Sequence, residues 1–270
     1  MTQTQGSPPK IFDERLVRLR KERAQRRGKS FFILRCAEDA ADRLLDINRK
    51  FQKALIIAQP EFLDQFRATL TPDKYPQQVE IVGHHSEIMP GKYDLIISIL
   101  NLHSINDVPG ELIRLHYMLE PDGLFLGSMF GGETLSELRN ICLANDEKFL
   151  GGYTPRIVPF ATHSQIGSIL QRAGYSLPVI DVDRLTIDYS QLGKLVSDIR
   201  DMGEGNCLYG RDTTPLPRTY YKELFDSNDP ISITFEILWM SGWSPHESQQ
   251  KPLKPGSAEV SLATFLKKDN

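Results

Sequence analysis

Cysteine is scarce in this chain of 270 residues: Cys36, Cys142 and Cys207 are odd in number and far apart. That count excludes a disulfide framework and the spacing excludes a zinc site, which leaves reduced thiols in a cytosolic setting as the expectation. No apolar run approaches the roughly twenty residues that a membrane span requires. Residues 1–30 lack a continuous apolar core behind their charges, so no secretory signal is expected. The acids Asp13, Glu14 and Glu22 interrupt what would otherwise read as a basic transit helix. Internal repeats and low-complexity segments are absent. Glycine, nineteen in all, is missing from the whole of 51–66, "FQKALIIAQPEFLDQF", where a buried-strand run passes straight into a helix.

What is present is ordinary for a globular α/β protein: 40% hydrophobic and 25% charged residues, with a net charge of −3. The charge is unevenly spread. Residues 1–30 carry nine Lys/Arg against three Asp/Glu, so the first segment is basic and the remainder acidic. In "IFDERLVRLRKERAQRRGK", Ile11, Phe12, Leu16 and Leu19 recur at roughly helical spacing, predicting a charged helix packed by one thin apolar edge. The same segment also suits docking to an acidic partner or an anionic membrane surface. Nucleic acid is not expected as a partner, because no aromatic stacking platforms lie among basic residues.

A second helix is predicted over 36–48 with Ala40, Leu44, Leu45 and Ile47 inward. Strands are then expected at 53–58, 79–82, 93–100 and 124–129, with helices over 60–70 and 108–119 between them. This succession implies a parallel sheet with right-handed crossovers. Mainly helical sequence follows from Glu133 to Gly174, then a strand at 178–189, a helix closed by Gly203, a Gly/Pro-rich loop to Pro217, and a last strand at 231–243. The expected division is a helical extension over 1–50, a central domain over 51–243 and an extended carboxyl-terminal arm over 244–270. The arm's Pro252 and Pro255 exclude a central strand or regular helix.

The segment "YDLIISILNLHSINDVPGELIRLHYMLEPDGLFLGSMF" resembles the fourth-to-fifth strand region of class I S-adenosylmethionine-dependent methyltransferases. The branch it is most similar to contains the biotin-pathway malonyl-carrier methyltransferase. Tyr93-Asp94-Leu95, Ser98, Leu102-His103 and Leu119-Glu120-Pro121-Asp122-Gly123 carry that likeness. The two ends, "IFDERLVRLRKERA" and "SGWSPHESQQKPLKPGSAEVSLATFL", resemble a narrower bacterial and mitochondrial group that includes an assembly factor for respiratory complex I. The resemblance implies a Rossmann-like sheet with a final antiparallel strand and a cleft for S-adenosylmethionine at the carboxyl ends of the strands. It also implies a protein partner of the complex I subunit kind, on which the mitochondrial member is associated with arginine hydroxylation. The setting it implies is the bacterial cytoplasm, peripheral to the inner membrane through the basic helix, or the mitochondrial matrix in a eukaryote.

Against that pattern the first motif, an acid followed by spaced glycines, is replaced by Ala58, Gln59, Pro60 and Glu61. Cβ atoms and a proline ring occupy the place of close backbone approach, and Pro60 removes one N–H donor. From Pro60 to Asp94 there is room for one strand rather than two, so the sheet is expected to be shortened by one β–α unit. The positions matching the family cleft are Ala58, Gln59, Glu61, His84, Ser98, Asn101 and His103. Two readings follow: a platform that keeps the fold with a degenerate cofactor site, or an active enzyme modifying a protein side chain. His84 and His85 are read as a surface pair on opposite faces of a strand rather than metal ligands. His103 is weighed equally as a cleft residue and as a packed polar group; Glu133 is read either as a residue on the substrate side of the cleft or, in preference, as the start of the next helix. His246 beside Glu247 is the one acid–base pairing in the arm.

Overall fold

A computed structural model of the chain describes residues 10–28, 30–225 and 230–249. Six strands form one sheet: β1 (Lys53–Ile57), β2 (Gln78–Val82), β3 (Tyr93–Ile99), β4 (Leu119–Phe130), β5 (Ser176–Tyr189) and β6 (Ile231–Trp243). Their order is β2-β1-β3-β4-β6-β5. The first four run parallel, and β6 inserts antiparallel between β4 and β5. This is the Rossmann-like arrangement with its final strand reversed, and β2 is its outermost parallel strand. The expected shortening accounts for the order, because a single strand lies outward of β1.

The continuous apolar sequences of β1 and β3 follow from double coverage. Successive residues alternate between two layers of core: Ala54 and Ile56 face one side, Leu55 and Ile57 the other. On the first side lie α2 (Phe31–Leu45), α3 (Pro60–Thr69) and α7 (Leu192–Met202). On the second lie α4 (Val108–Met118) and α6 (His163–Arg172). Pro60 stands in the first turn of α3, where its missing N–H has no intrahelical partner to lose. Phe62 and Phe66 of that helix stack at 5.2 Å and are fully buried. The remaining helices are α1 (Glu14–Gln25), α5 (Ser136–Leu150) and α8 (Arg218–Phe225).

Several expectations are corrected. Helix α1 begins at Glu14, capped by Asp13, whose carboxylate accepts from Leu16 N. Its inward face is Val17, Lys21 and Ala24, whereas Ile11 and Leu19 stand exposed and Phe12 bridges to Leu208 before the helix starts. Of the expected edge, Phe12 is buried and Leu16 packs against the small core of Phe12, Val17, Val158 and Cys207, while the inward stripe of the helix carries a lysine at its centre. Helix α2 starts five residues earlier than predicted and buries Phe32, Ile33, Cys36, Ala37, Ala40, Ala41 and Leu44, leaving Leu45 exposed. Glu133 lies in the turn before α5 and does not begin that helix; Glu137 takes the first-turn position, its carboxylate accepting from Thr234 N at 3.0 Å. The Gly/Pro-rich loop to Pro217 carries no helix, and α8, which the sequence did not announce, follows directly after it.

Of the predicted arm, residues 244–249 are described. Asp122 N donates to Ser244 O at 3.1 Å and Gln249 Nε2 to Asp122 Oδ1 at 3.0 Å, which ties the start of the arm to the left-handed turn at Asp122. His246 pairs with Ser248 Oγ at 2.7 Å rather than with Glu247, so the acid–base pairing is not made. Residues 250–270, including Pro252 and Pro255, lie outside the described residues.

Candidate functional site at the carboxyl ends of the strands

In a doubly wound sheet the ligand crevice lies outside the strand ends where the order reverses, here between β1 and β3. The structure brings most of the sequence-predicted site residues to that place and buries them. Ala58 and Ser98 are fully covered, and Gln59, Asn101 and His103 are each 4% exposed. Asn101 Nδ2 donates to Ile57 O at 3.1 Å and to Ile99 O at 2.9 Å, so its amide stitches β1 to β3 across the crevice. Ala58 N donates to Val82 O at 3.0 Å, extending the β1–β2 ladder into the turn. Gln59 caps α3 through its backbone; Gln59 Nε2 and Glu61 Oε2 are buried without hydrogen-bond partners among the described residues.

At the end of β3, Leu100 adopts φ +47°, a left-handed conformation that costs a β-carbon-bearing residue of the order of 1–2 kcal/mol. The strained turn aims the Leu100 carbonyl at α1, where Lys21 Nζ donates to it at 3.1 Å and to Met202 O at 3.4 Å. The same ammonium pairs with Glu204 Oε1, and Glu204 Oε2 accepts from His103 Nε2 at 2.9 Å. His103 Nδ1 lies 3.4 Å from Phe130 N, and its ring packs on Phe130 and Phe160. The side chains of Lys21 and Glu204 are 8% and 9% exposed, and that of His103 is fully buried. Sequence reading found His103 but missed Lys21 and Glu204. The available signal was a lysine at the middle of the 17, 21, 24 stripe and a glutamate immediately after the Gly203 helix stop.

Burial alone would raise the Glu204 carboxyl. The charges of His103 and Lys21 and their hydrogen bonds outweigh it and hold the group at about 2, against an ordinary 4.5. A depressed folded pKa means that the unfolded chain takes up the proton first. The stability contributed is present above 4.5 and is lost as pH falls toward about 2. Denaturant melts across that window are expected to show a loss that Glu204→Gln removes; superimposable acid profiles for the two proteins would contradict the assignment.

On the β2 side the histidines behave differently from the expectation. His85 sits in a single helical turn after β2 and is 3% exposed, not at the surface. Its Nδ1 lies 2.5 Å from Glu111 Oε1 and its Nε2 3.1 Å from Ser98 Oγ, while Arg114 Nη2 donates to Glu111 Oε1 at 2.7 Å and to His85 O at 2.8 Å. Burial acts to raise the Glu111 carboxyl, and the hydrogen bonds from His85 and Arg114 reverse it to a net lowering. His84 remains half-buried, its Nδ1 accepting from Ser86 N. The Ser98 hydroxyl is closed off, whereas His85, Glu111 and Arg114 line a surface cavity of about 280 Å³. Among the described residues, no group of three or more His, Cys, Asp or Glu side chains is placed to hold a metal ion. Burial pushes the Cys36 thiol up to about 12 and the Cys142 thiol to about 11, which makes both inert at neutral pH.

Comparison with known proteins gives this site its context. Arginine-hydroxylase NDUFAF5, mitochondrial, of Homo sapiens is 36% identical, with 96% of this chain and 84% of the relative aligned. The chain belongs to that family. The Danio rerio protein of the same name is 35% identical over 84% of this chain and 79% of its own. More distant is the malonyl-[acyl-carrier protein] O-methyltransferase of Xylella fastidiosa, 27% identical over 74% of this chain and 69% of the relative. No family model matches the sequence. Among solved structures, YcgJ of Bacillus subtilis overlays with a TM-score of 0.46 at 13% identity, covering 79% of this chain and 98% of that one. The N-methyltransferase NodS of Bradyrhizobium japonicum, in complex with S-adenosylhomocysteine, gives 0.42 at 10%, covering 86% and 99%. Membership of the NDUFAF5 family agrees with the resemblance of both chain ends and with the Rossmann-like strand order. No described helix is long and apolar enough to cross a membrane.

Proposed function

We propose that this protein is a complex I assembly-type member of the NDUFAF5 family that serves as a docking platform for a protein partner, its adenosylmethionine cleft closed. The observation that carries the reading is the covered turn at Ala58 and Gln59. S-adenosylmethionine needs open room and free backbone N–H groups there, and carboxylates for its ribose and adenine. Pro60 supplies no N–H, Asn101 spends its amide on strand carbonyls, and Glu87, the carboxylate beside the end of β2, accepts from Gly83 N at 3.0 Å. The residues present do not fit the cofactor. Each missing charged hydrogen bond weakens binding by roughly 1.5–3 kcal/mol, so two or three cost several orders of magnitude in affinity.

A second reading, an enzyme acting on a protein side chain, is favoured by the buried His103–Glu204 pair and by the hydroxylase name of the relatives. Calorimetry on ligand-stripped protein separates the readings. No heat and no thermal shift are expected at millimolar adenosylmethionine, and low-micromolar dissociation would end the platform reading.

A further inference from the structure

The basic charge of α1 is gathered rather than spread. Between α1 and α7 the surface forms a groove of about 560 Å³ whose lining includes Arg20 and Arg23 of α1, Arg27 in the turn that follows it, and Arg200 of α7, together with Val196 and Ile199. Among the described residues, Arg27 alone of these four has a carboxylate partner, Asp201. Arg20 lies against Gly205, and a β-carbon at that glycine would collide with its guanidinium. Helix α1 is fastened to the domain by its buried Val17, Lys21 and Ala24, and of the four guanidinium groups Arg27 alone is paired across to α7. Like charges held together in this way repel one another, and an anionic partner relieves the repulsion.

The shape narrows the choice of anion. Guanidinium forks match carboxylates in paired hydrogen bonds, and an apolar strip between them suits an aliphatic side chain. A planar lipid surface does not descend into a groove between two helices, and a free phosphate leaves Val196 and Ile199 unused. We propose that the α1–α7 groove receives an acidic segment of a partner protein, its carboxylates on the arginines and its aliphatic groups on Val196 and Ile199. This rests on the docking reading and adds the surface and the chemistry of the partner.

The test uses full-length protein and a fluorescein-labelled peptide of alternating glutamate and leucine, followed by anisotropy. The peptide is expected to bind, to weaken as salt rises, and to lose roughly tenfold or more in affinity in the Arg23→Gln/Arg200→Gln double variant. Both positions are exposed, so the melting temperature is expected to stay within the range of ordinary surface changes. Gly205→Ala, which displaces Arg20, is expected to weaken the peptide as well. A glutamine-for-glutamate peptide is the negative control. Equal affinity for wild type and double variant would overturn the proposal. So would absence of peptide binding combined with sedimentation on phosphatidylglycerol vesicles that the same substitutions abolish. The outcome is separable from the cleft question: heat on adenosylmethionine titration with unchanged peptide binding removes the closed-cleft reading and leaves the groove standing.

Discussion

Lys21→Met is expected to lower the unfolding free energy by about 3–5 kcal/mol, measured by urea melts at neutral pH. The loss comes less from the contacts that disappear than from what they leave behind. Glu204, 9% exposed, would keep its charge with His103 as its remaining close partner, and the carbonyls of Leu100 and Met202 would lose their donor. The double variant Lys21→Met/Glu204→Gln is expected to recover most of the deficit, because a neutral amide beside His103 strands no buried charge. Non-additivity of this sign is what a desolvated pair produces. Additive losses would show that the two side chains act independently and that the ammonium does not neutralise Glu204.

Phe62→Ala carries the second large effect, about 3–5 kcal/mol, from a fully buried ring stacked on Phe66 directly behind the glycine-free turn. Its value lies in a comparison. If packing alone holds the turn, the melting curve of the variant is expected to be unmoved by millimolar adenosylmethionine. A ligand that bound the native turn would raise stability in proportion to the logarithm of its concentration, and the weakened variant would display that rise most clearly. A concentration-dependent recovery would therefore argue for a cofactor holding Ala58 and Gln59 in place.

The parts of the fold that could be read from sequence were those whose residues speak for themselves. The runs "ALII" and "LIISI" have the length and continuity of strands covered on both faces, and Pro60 marks its helix start without ambiguity. The single strand between Pro60 and Asp94 was a matter of counting, and the sheet order agrees with it. The candidate site was half legible. Ala58, Gln59, Ser98, Asn101 and His103 stand at or just beyond the ends of β1 and β3, because their places follow from the strand ends. Lys21 and Glu204 did not stand out, because the pair joins the amino-terminal helix to a loop 183 residues later, a distance no local pattern spans. His85 was misjudged for a related reason. Alternation along a strand predicts opposite faces, but the chain leaves β2 at Val82 and coils, turning that imidazole toward Ser98 and Glu111.

The clasp at Lys21 also sets an order of assembly. On a growing chain α1 is made among the first elements, yet three acceptors of its lysine arrive 79, 181 and 183 residues later. Until α7 and the turn behind it are synthesised, the helix has no counter-charge to bury its ammonium against, and it must wait in water while β1 to β4 form. Long-range closure of this kind comes late in folding. Helix α1 is thereby made well before the partners on which its docking depends.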